Sequence, residues 1–310
     1  MEDAPFHADL ADAPEGGQVV WRHADDGVRL RLGAWHAENS RGTVLLYPGR
    51  TEYIEKYGRV IRDLVAAHWS VALIDWRGQG LSDRLDDDGR LGHVVDFLDY
   101  QRDAATFLDW VKEIELPRPH VLLAHSMGGC IGLRSLVNGL DVARAVFSAP
   151  MWGIQMPGYA RPLTYVLPPV ARLLKREAVF APGTKPTSYL VDTAFAENML
   201  TADPTTFGWL CTQVATVPGF ALGGPSVQWV GSATLEMDRL MGLSKPNVPT
   251  LTFVGTREQI VSIEAIERYH ANWPQGELRK VTGAKHEMMM EVPEIRARFL
   301  SDSLGFLSNA

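Results

Sequence analysis

The stretch Val121-Leu122-Leu123-Ala124-His125-Ser126-Met127-Gly128-Gly129-Cys130 decides the fold. An apolar run from His120 to Leu123 ends in a small residue, His-Ser-Met follows, and two glycines open a segment with helical patterning. A serine at the tip of a strand–turn–helix is held in a strained backbone conformation, its hydroxyl pushed out above the sheet. Strand and helix pass so closely at such a turn that the residues two before, two after and three after the serine must be small. Ala124, Gly128 and Gly129 satisfy all three, with alanine in place of the more usual glycine at the first. Ser126 is therefore the candidate nucleophile.

Outward from this turn the chain alternates strands and helices. Residues 43–47 and 70–74 are short continuous apolar runs, as expected of strands covered on both faces. Residues 18–23 and 28–36 flank the Asp26-Gly27 turn and read as a hairpin. Helical spacing runs over about 53–68 and over 96–114, where Phe97, Tyr100, Ala104, Phe107, Leu108 and Val111 recur, and the helix after Ser126 covers 130–138. Toward the carboxyl end, 144–148, 251–254 and 277–281 read as strands, and 263–272 and 293–307 as helices. This is the pattern of an α/β protein, a mostly parallel central sheet with helices on both faces.

After Pro150 the composition shifts toward Pro, Gly, Trp, Tyr and Met, with irregular helical pieces over 163–176, 195–200 and 205–217 and no strand alternation. Sheet patterning resumes beyond it. The reading is a helical cap, residues 151–245, inserted into a core made of residues 1–150 and 246–310. No internal repeat is present, and the run Asp86-Asp87-Asp88 reads as a solvated loop.

Composition narrows the functional classes. A formal net charge of −7 argues against nucleic acid and anionic membranes as primary partners. Cys130 and Cys211 are too few for a disulfide framework, which suits a reducing compartment. Residues 1–17 are acidic and lack the basic-then-apolar order of a secretory signal, and no apolar run approaches bilayer length. The expectation is a cytoplasmic protein with room for transient contact with a lipid surface and no nucleic-acid partner. Nothing in the motifs calls for a cofactor.

A serine hydroxyl is a weak nucleophile until a base takes its proton; histidine has the right pKa, and a carboxylate fixes its tautomer. In open α/β sheets these groups converge at the carboxyl ends of the strands, and here in the chain order serine, acid, histidine. Gly283-Ala284-Lys285-His286-Glu287 follows the last strand and precedes the final helix, which makes His286 the candidate base. His125 adjoins the serine, but successive strand side chains point apart, so it reads as structural. His286-Glu287-Met288-Met289-Met290 lacks the second histidine of a zinc-binding helix, so no metal is expected.

Strand 251–254 is followed by Gly255-Thr256-Arg257-Glu258, making Glu258 the candidate acid. Glu264 and Glu267 fall on the next helix, Asp238 lies in the cap, and Asp75 precedes the nucleophile and fastens its own loop. Two backbone donors should face the developing oxyanion: the N–H of Met127, at a helix N-terminus, and that of Arg50 in Pro48-Gly49-Arg50, where Gly49 lets the main chain approach.

These pieces together resemble the α/β-hydrolases of the monoglyceride lipase and lysophospholipase group, the serine aminopeptidase S33 or hydrolase-4 family. The resemblance rests on Tyr47-Pro48-Gly49-Arg50-Thr51-Glu52 with Lys56-Tyr57, on Asp75-Trp76-Arg77-Gly78-Gln79-Gly80-Leu81-Ser82, on His125-Ser126-Met127-Gly128-Gly129, on Glu258-Gln259-Ile260-Val261 and on Gly283-Ala284-Lys285-His286-Glu287. It covers nearly the whole chain except the amino-terminal tail and the cap interior. It implies Ser126, Glu258 and His286 as the triad, and Arg50 and Met127 as the oxyanion hole. Pro48 stands where the family usually has histidine, and Glu258 where aspartate is commoner.

The activity so implied is hydrolysis of a lipid-type carboxylic ester, a lysophospholipid or monoacylglycerol, through an acyl-enzyme. Trp152, Met156, Tyr159 and Trp209 are cap candidates for an acyl-chain channel, the alternative being that they form the cap's own core. A small-ester carboxylesterase or a carbon–carbon bond hydrolase is the second reading. The latter needs cationic cap residues for a dicarboxylate-like substrate, with Arg161 and Arg172 available. A catalytically silent binding protein would lack a triad member. Epoxide hydrolysis and dehalogenation need an aspartate where Ser126 stands.

Overall fold

The apolar runs do form the middle of one nine-stranded sheet in the computed structural model, which describes residues 2–309. Met1 and Ala310, the outer ends of the two expected core segments, lie outside the described residues. The strands are β1 (Glu2–Asp3), β2 (Gln18–His23), β3 (Arg29–Trp35), β4 (Thr43–Tyr47), β5 (Ser70–Asp75), β6 (His120–His125), β7 (Ala145–Ser148), β8 (Thr250–Gly255) and β9 (Gly276–Val281). Their spatial order is β1-β2-β3-β5-β4-β6-β7-β8-β9. Neighbours from β1 to β5 run antiparallel, and all pairs from β5 to β9 run parallel. Strands β4 to β8 are buried at every position, which is why they carry no polar alternation.

The helices are α1 (Ala8–Ala11), α2 (Gly58–Ala66), α3 (Asp99–Glu113), α4 (Met127–Val137), α5 (Ala160–Leu173), α6 (Tyr189–Asp192), α7 (Pro204–Thr216), α8 (Val227–Gly242), α9 (Ile263–His270) and α10 (Pro293–Leu307). Helices α2, α3, α4, α9 and α10 pack on the sheet, and α5 to α8 lie between β7 and β8. β1 and α1 are too short to leave a periodic signal. They are strapped down nonetheless: Trp35 donates its indole N–H to the Pro14 carbonyl and Trp209 to that of Leu10, both at 3.0 Å.

Helix α8 has no counterpart among the expected elements. It buries Trp229, Gly231, Ala233, Thr234, Glu236, Met237 and Leu240, a spread around the helix that erases the apolar stripe on which periodicity depends. Its start was marked only by Ser226, whose hydroxyl accepts the Trp229 N–H at 2.9 Å as an N-cap.

The close passage required at Ser126 is present. A Cβ on Gly128 would collide with the carbonyl oxygens of Tyr47 and Pro48, and one on Gly129 would press on Pro150. Because the obstacle at Gly128 is main chain, it cannot rotate aside. Gly128→Ala is expected to lose about 1–3 kcal/mol of stability as an overpacking change. Gly305→Ala, in α10 with open space around its Cβ, is expected to gain up to about 1 kcal/mol from helix propensity. Chemical denaturation of the two variants checks both signs.

Candidate active site

Ser126 caps α4 with φ +50° and ψ −117°, a conformation that side-chain-bearing residues rarely adopt. Its N–H donates to the Ser148 carbonyl (3.1 Å), and its own carbonyl accepts from Gly129 (2.9 Å) and Met151 (2.8 Å). The hydroxyl lies 2.9 Å from His286 Nε2, and His286 Nδ1 lies 2.7 Å from Glu258 Oε2. The other carboxylate oxygen of Glu258 accepts the N–H groups of Ile260 (2.6 Å) and Val261 (3.2 Å). The anionic Glu258 accepts a hydrogen bond from Nδ1–H, which leaves Nε2 as the acceptor for the serine hydroxyl. The structure thus brings Ser126, Glu258 and His286 together from three strand ends.

All three side chains are buried. Burial alone would lower the His286 pKa; the Glu258 charge and hydrogen bond outweigh it, aided by Glu287 and Glu52, and the net shift is upward. For Glu258 burial works upward and is outweighed by His286 and the two backbone donors, so its carboxyl is held below the ordinary value.

The loop after β4 crosses directly over the serine, where a Cβ on Gly49 would stand 3.1 Å from that of Ser126. Glu52 organises this loop. Its carboxylate accepts the Gly49 N–H and the Tyr57 hydroxyl, and it pairs with Lys56 Nζ at 2.6 Å. Thr51 N–H donates to Gln79 (2.7 Å), and the Trp76 indole donates to the Pro48 carbonyl (2.9 Å). Among the described residues neither the Arg50 N–H nor the Met127 N–H has a hydrogen-bond partner, whereas those of Gly49 and Thr51 are engaged. Burial raises the Glu52 pKa, but Lys56, His125 and the hydrogen bonds overcome this and bring it down to about 2.

Glu52, His125 and Glu287 hold donor atoms within 4.8 Å of one another, a spacing that suits a metal ion. The cation in that space is the Lys56 ammonium, 2.7 Å from Glu287 and 2.6 Å from Glu52. The His125 ring, read from the sequence as pointing away, in fact lies 4.8 Å from the His286 ring, at the strand end where the chain turns. Its Nδ1 contacts the Ser148 carbonyl, and burial lowers its pKa to about 3. It is a neutral wall of the site. Asp75 fastens its own loop through Leu81 N–H, and also holds Ile54 N–H and Arg31.

A cavity of about 600 Å³ opens above Ser126 and His286. Its floor includes Met151, Ile154, Ile260 and Val261, and its opposite wall comes from Tyr189, Met199, Leu200 and Trp229. Segment 198–201 is laced to the histidine loop: His286 N–H donates to Met199 O (3.4 Å), Glu287 N–H to Leu200 O (2.9 Å) and Lys285 Nζ to Asn198 O (2.7 Å). Trp152, Met156, Tyr159 and Trp209 all stand away from the cavity. Trp152 is buried beneath the nucleophile helix, bonded to Gly129 O and packed on Phe147 and Tyr269. Met156 lines a separate small depression, Tyr159 is 79% exposed, and Trp209 packs under the Arg59 guanidinium. Size and composition point to these four, whereas the segments around α6 and ahead of α8 supply the side chains that line the cavity. Lys56 and the Arg50 side chain, which do line the cavity, were overlooked as chemistry although they stand in the quoted motif.

The family described as serine aminopeptidase S33 (hydrolase-4) matches residues 38–293. The chain belongs to this family. It is 30% identical to lysophospholipase L2 of Escherichia coli strain K12, over 93% of this chain and 88% of that protein. It is 29% identical to the probable lysophospholipase L2 of Haemophilus influenzae, over 86% and 84% of the two. Among solved structures, a monoglyceride lipase from Saccharomyces cerevisiae superposes with a TM-score of 0.75 at 19% identity, covering 98% of each chain. The fold is that of an α/β-hydrolase, as the motifs led one to expect, and the enzyme class is serine ester hydrolase.

If His286 serves as the base it must be neutral to act, and its raised pKa then moves the acid limb of kcat/KM upward from the ordinary histidine value. In Glu258→Gln the charge that raises it is gone, so the limb should move to lower pH while kcat falls by roughly 10²–10⁴. A pH–rate profile of both proteins on a soluble ester checks the direction.

Proposed function

We propose that this enzyme hydrolyses the ester bond of single-chain lipids, lysophospholipids or monoacylglycerols, with Ser126, His286 and Glu258 as the triad and the Arg50 and Met127 N–H groups as the oxyanion hole. The observation that carries the reading is the unbroken chain Ser126 Oγ–His286–Glu258 at the floor of a half-apolar cavity, beneath two unengaged amides. His286 Nε2 takes the hydroxyl proton as Ser126 Oγ attacks the ester carbonyl, and the carbonyl oxygen becomes an anion between the two N–H donors. The imidazolium, steadied by Glu258, gives its proton to the departing alcohol and leaves an acyl-enzyme. Water then repeats the sequence, and the fatty acid leaves.

Residues 151–245 act in this reading as the cap that shapes the acyl site. The name of the Escherichia coli relative supports a lysophospholipid. Nothing favours the carbon–carbon hydrolase, since Arg161 pairs with Asp238 on the surface and Arg172 is exposed. The two unpaired cysteines suit a cytoplasmic location. Among the described residues no helix is long and apolar enough to cross a membrane.

Contact with a lipid surface falls to α5. Tyr159, Leu163, Val166, Val170 and Leu173 follow the three-and-four spacing of one helix face and are 45% exposed or more, Leu173 reaching 84%. Arg172, Lys175 and Arg176 stand at its end. Such a face suits shallow insertion at a headgroup boundary.

A fluorophosphonate probe should label the wild type and leave Ser126→Ala unlabelled, and p-nitrophenyl esters should be cleaved with preference for medium or long chains. Preference for acetate would move the assignment to a small-ester carboxylesterase, and absence of both labelling and turnover would remove it. Separately, Val166→Asp with Val170→Asp should lower vesicle-borne turnover relative to a soluble ester by roughly tenfold or more, each loss being on the order of 1–2 kcal/mol of apolar burial. Co-sedimentation with vesicles provides the parallel readout.

A further inference from the structure

The strongly buried cations of this protein are matched by carboxylates. Arg31 lies between Glu55 and Asp75, Arg77 against Asp103 and Asp26, and Lys56 between Glu52 and Glu287. Arg50, half-buried as a residue but with its Nε covered, departs from this. Among the described residues no carboxylate stands within ion-pairing distance of it; Nη2 donates to the Gly223 carbonyl at 2.7 Å, and Nε is buried without a partner. The guanidinium rests 5.3 Å from the Trp229 ring centre. Arg84 also lacks a carboxylate, but spreads its donors over the carbonyls of Gly89, Ser82 and Gly219. Burial brings the Arg50 pKa down to about 10, so the group is charged at neutral pH.

A guanidinium has five N–H donors, and leaving a desolvated one largely unengaged is costly until a counter-charge arrives. Arg50 lines the same cavity as Ser126, alongside Gly223, Gly224 and Trp229. Of the other cavity charges, Glu52 and Glu287 share Lys56, and Asp192 faces Lys185 at 3.6 Å, while Glu197 has no ion pair among the described residues.

We propose that the Arg50 side chain is the phosphate-binding group of the active site and makes the enzyme select esters whose alcohol carries a phosphate over neutral glycerol esters. The inference rests on the lipid-ester reading above and deepens it. In that reading the backbone N–H of this residue donates to the carbonyl oxygen of the ester, so its Cα lies one bond beyond the atom that holds the reacting carbonyl. From Cα to the guanidinium carbon is a chain of five bonds, and from an acyl carbonyl carbon through glycerol to phosphorus one of six, so the extended spans are alike, roughly 6 and 7.5 Å for zigzag chains of about 1.5 Å bonds. One residue thus serves both ends of the substrate: its amide takes the oxyanion and its side chain the headgroup, where a planar fork suits a phosphate.

The test compares lysophosphatidylglycerol with a monoacylglycerol of the same acyl chain in detergent. In Arg50→Gln the ratio of the two kcat/KM values should fall roughly 10–100-fold, the worth of a charged hydrogen-bonded contact, with partial recovery in Arg50→Lys. An equal fall on both substrates overturns the proposal and leaves Arg50 as a support for its own loop. A wild type that cleaves only the monoacylglycerol overturns it too. A second arm needs no variant: glycerol 3-phosphate, inorganic phosphate and glycerol are added to wild-type hydrolysis of p-nitrophenyl butyrate. Competitive inhibition by glycerol 3-phosphate, weaker by inorganic phosphate and absent with glycerol, is expected. Equal inhibition by both phosphates would assign the site to free phosphate, and inhibition by neither would remove it. A wild type inactive on every ester defeats the lipid-ester reading and this inference together, whereas an active wild type with an unchanged ratio defeats this inference alone.

Discussion

A main chain that reverses from strand to helix on one serine, at φ +50°, is held in a conformation costing about 1–3 kcal/mol. It persists because everything around it is over-determined. The Ser126 carbonyl is gripped by the amides of Gly129 and Met151, its own amide by Ser148, and α4 can approach β4 only because Gly128 has no side chain to meet the Tyr47 carbonyl. The same compression aims the hydroxyl at His286 and leaves the Met127 amide bare. In the proposed mechanism the direction of the nucleophile and half of the oxyanion hole thus follow from one geometry.

Charge organises the other half. Glu52 is a buried anion with a depressed pKa, and it serves two neighbours at once: it engages the Gly49 amide, which sets the turn of the loop, and it anchors Lys56. Lys56 in turn holds Glu287, next to the base in the chain. The loop over the serine and the loop bearing His286 come from opposite ends of the sequence, yet a single ammonium fixes their spacing. Such a buried network contributes more to a unique geometry than to net stability, since each ion has lost its water.

How much of this was legible in the residues depended on whether a local rule applied. Buried parallel strands show as apolar runs, and an elbow shows as small residues at fixed offsets, so the sheet and Ser126 could be read directly. His286 and Glu258 followed from their positions just past strand ends. Helix α8 was invisible because its burial on several sides left no polar face to define a period. The cap's lining was invisible for another reason: Trp152 and Tyr159 are equally large and apolar, but one is sealed under α4 and the other faces outward, a difference set by long-range docking alone. The His125 ring beside His286 shows the limit of strand alternation at a point where the strand is ending.

The lacing of segment 198–201 to the histidine loop divides the insertion into parts of unequal independence. Carbonyls of Asn198, Met199 and Leu200 receive donors from Lys285, His286 and Glu287 in turn, so this stretch supports the loop bearing His286 although it lies in the middle of the sequence between β7 and β8. Helix α5 has no such duty and meets chiefly α8. In recombination between relatives, therefore, the natural seam is not at the ends of the insertion. A graft that carries α5 and stops before Asn198 imports a new exposed apolar face while the loop bearing His286 keeps its own scaffold, and one that runs through Leu200 replaces part of what holds that loop.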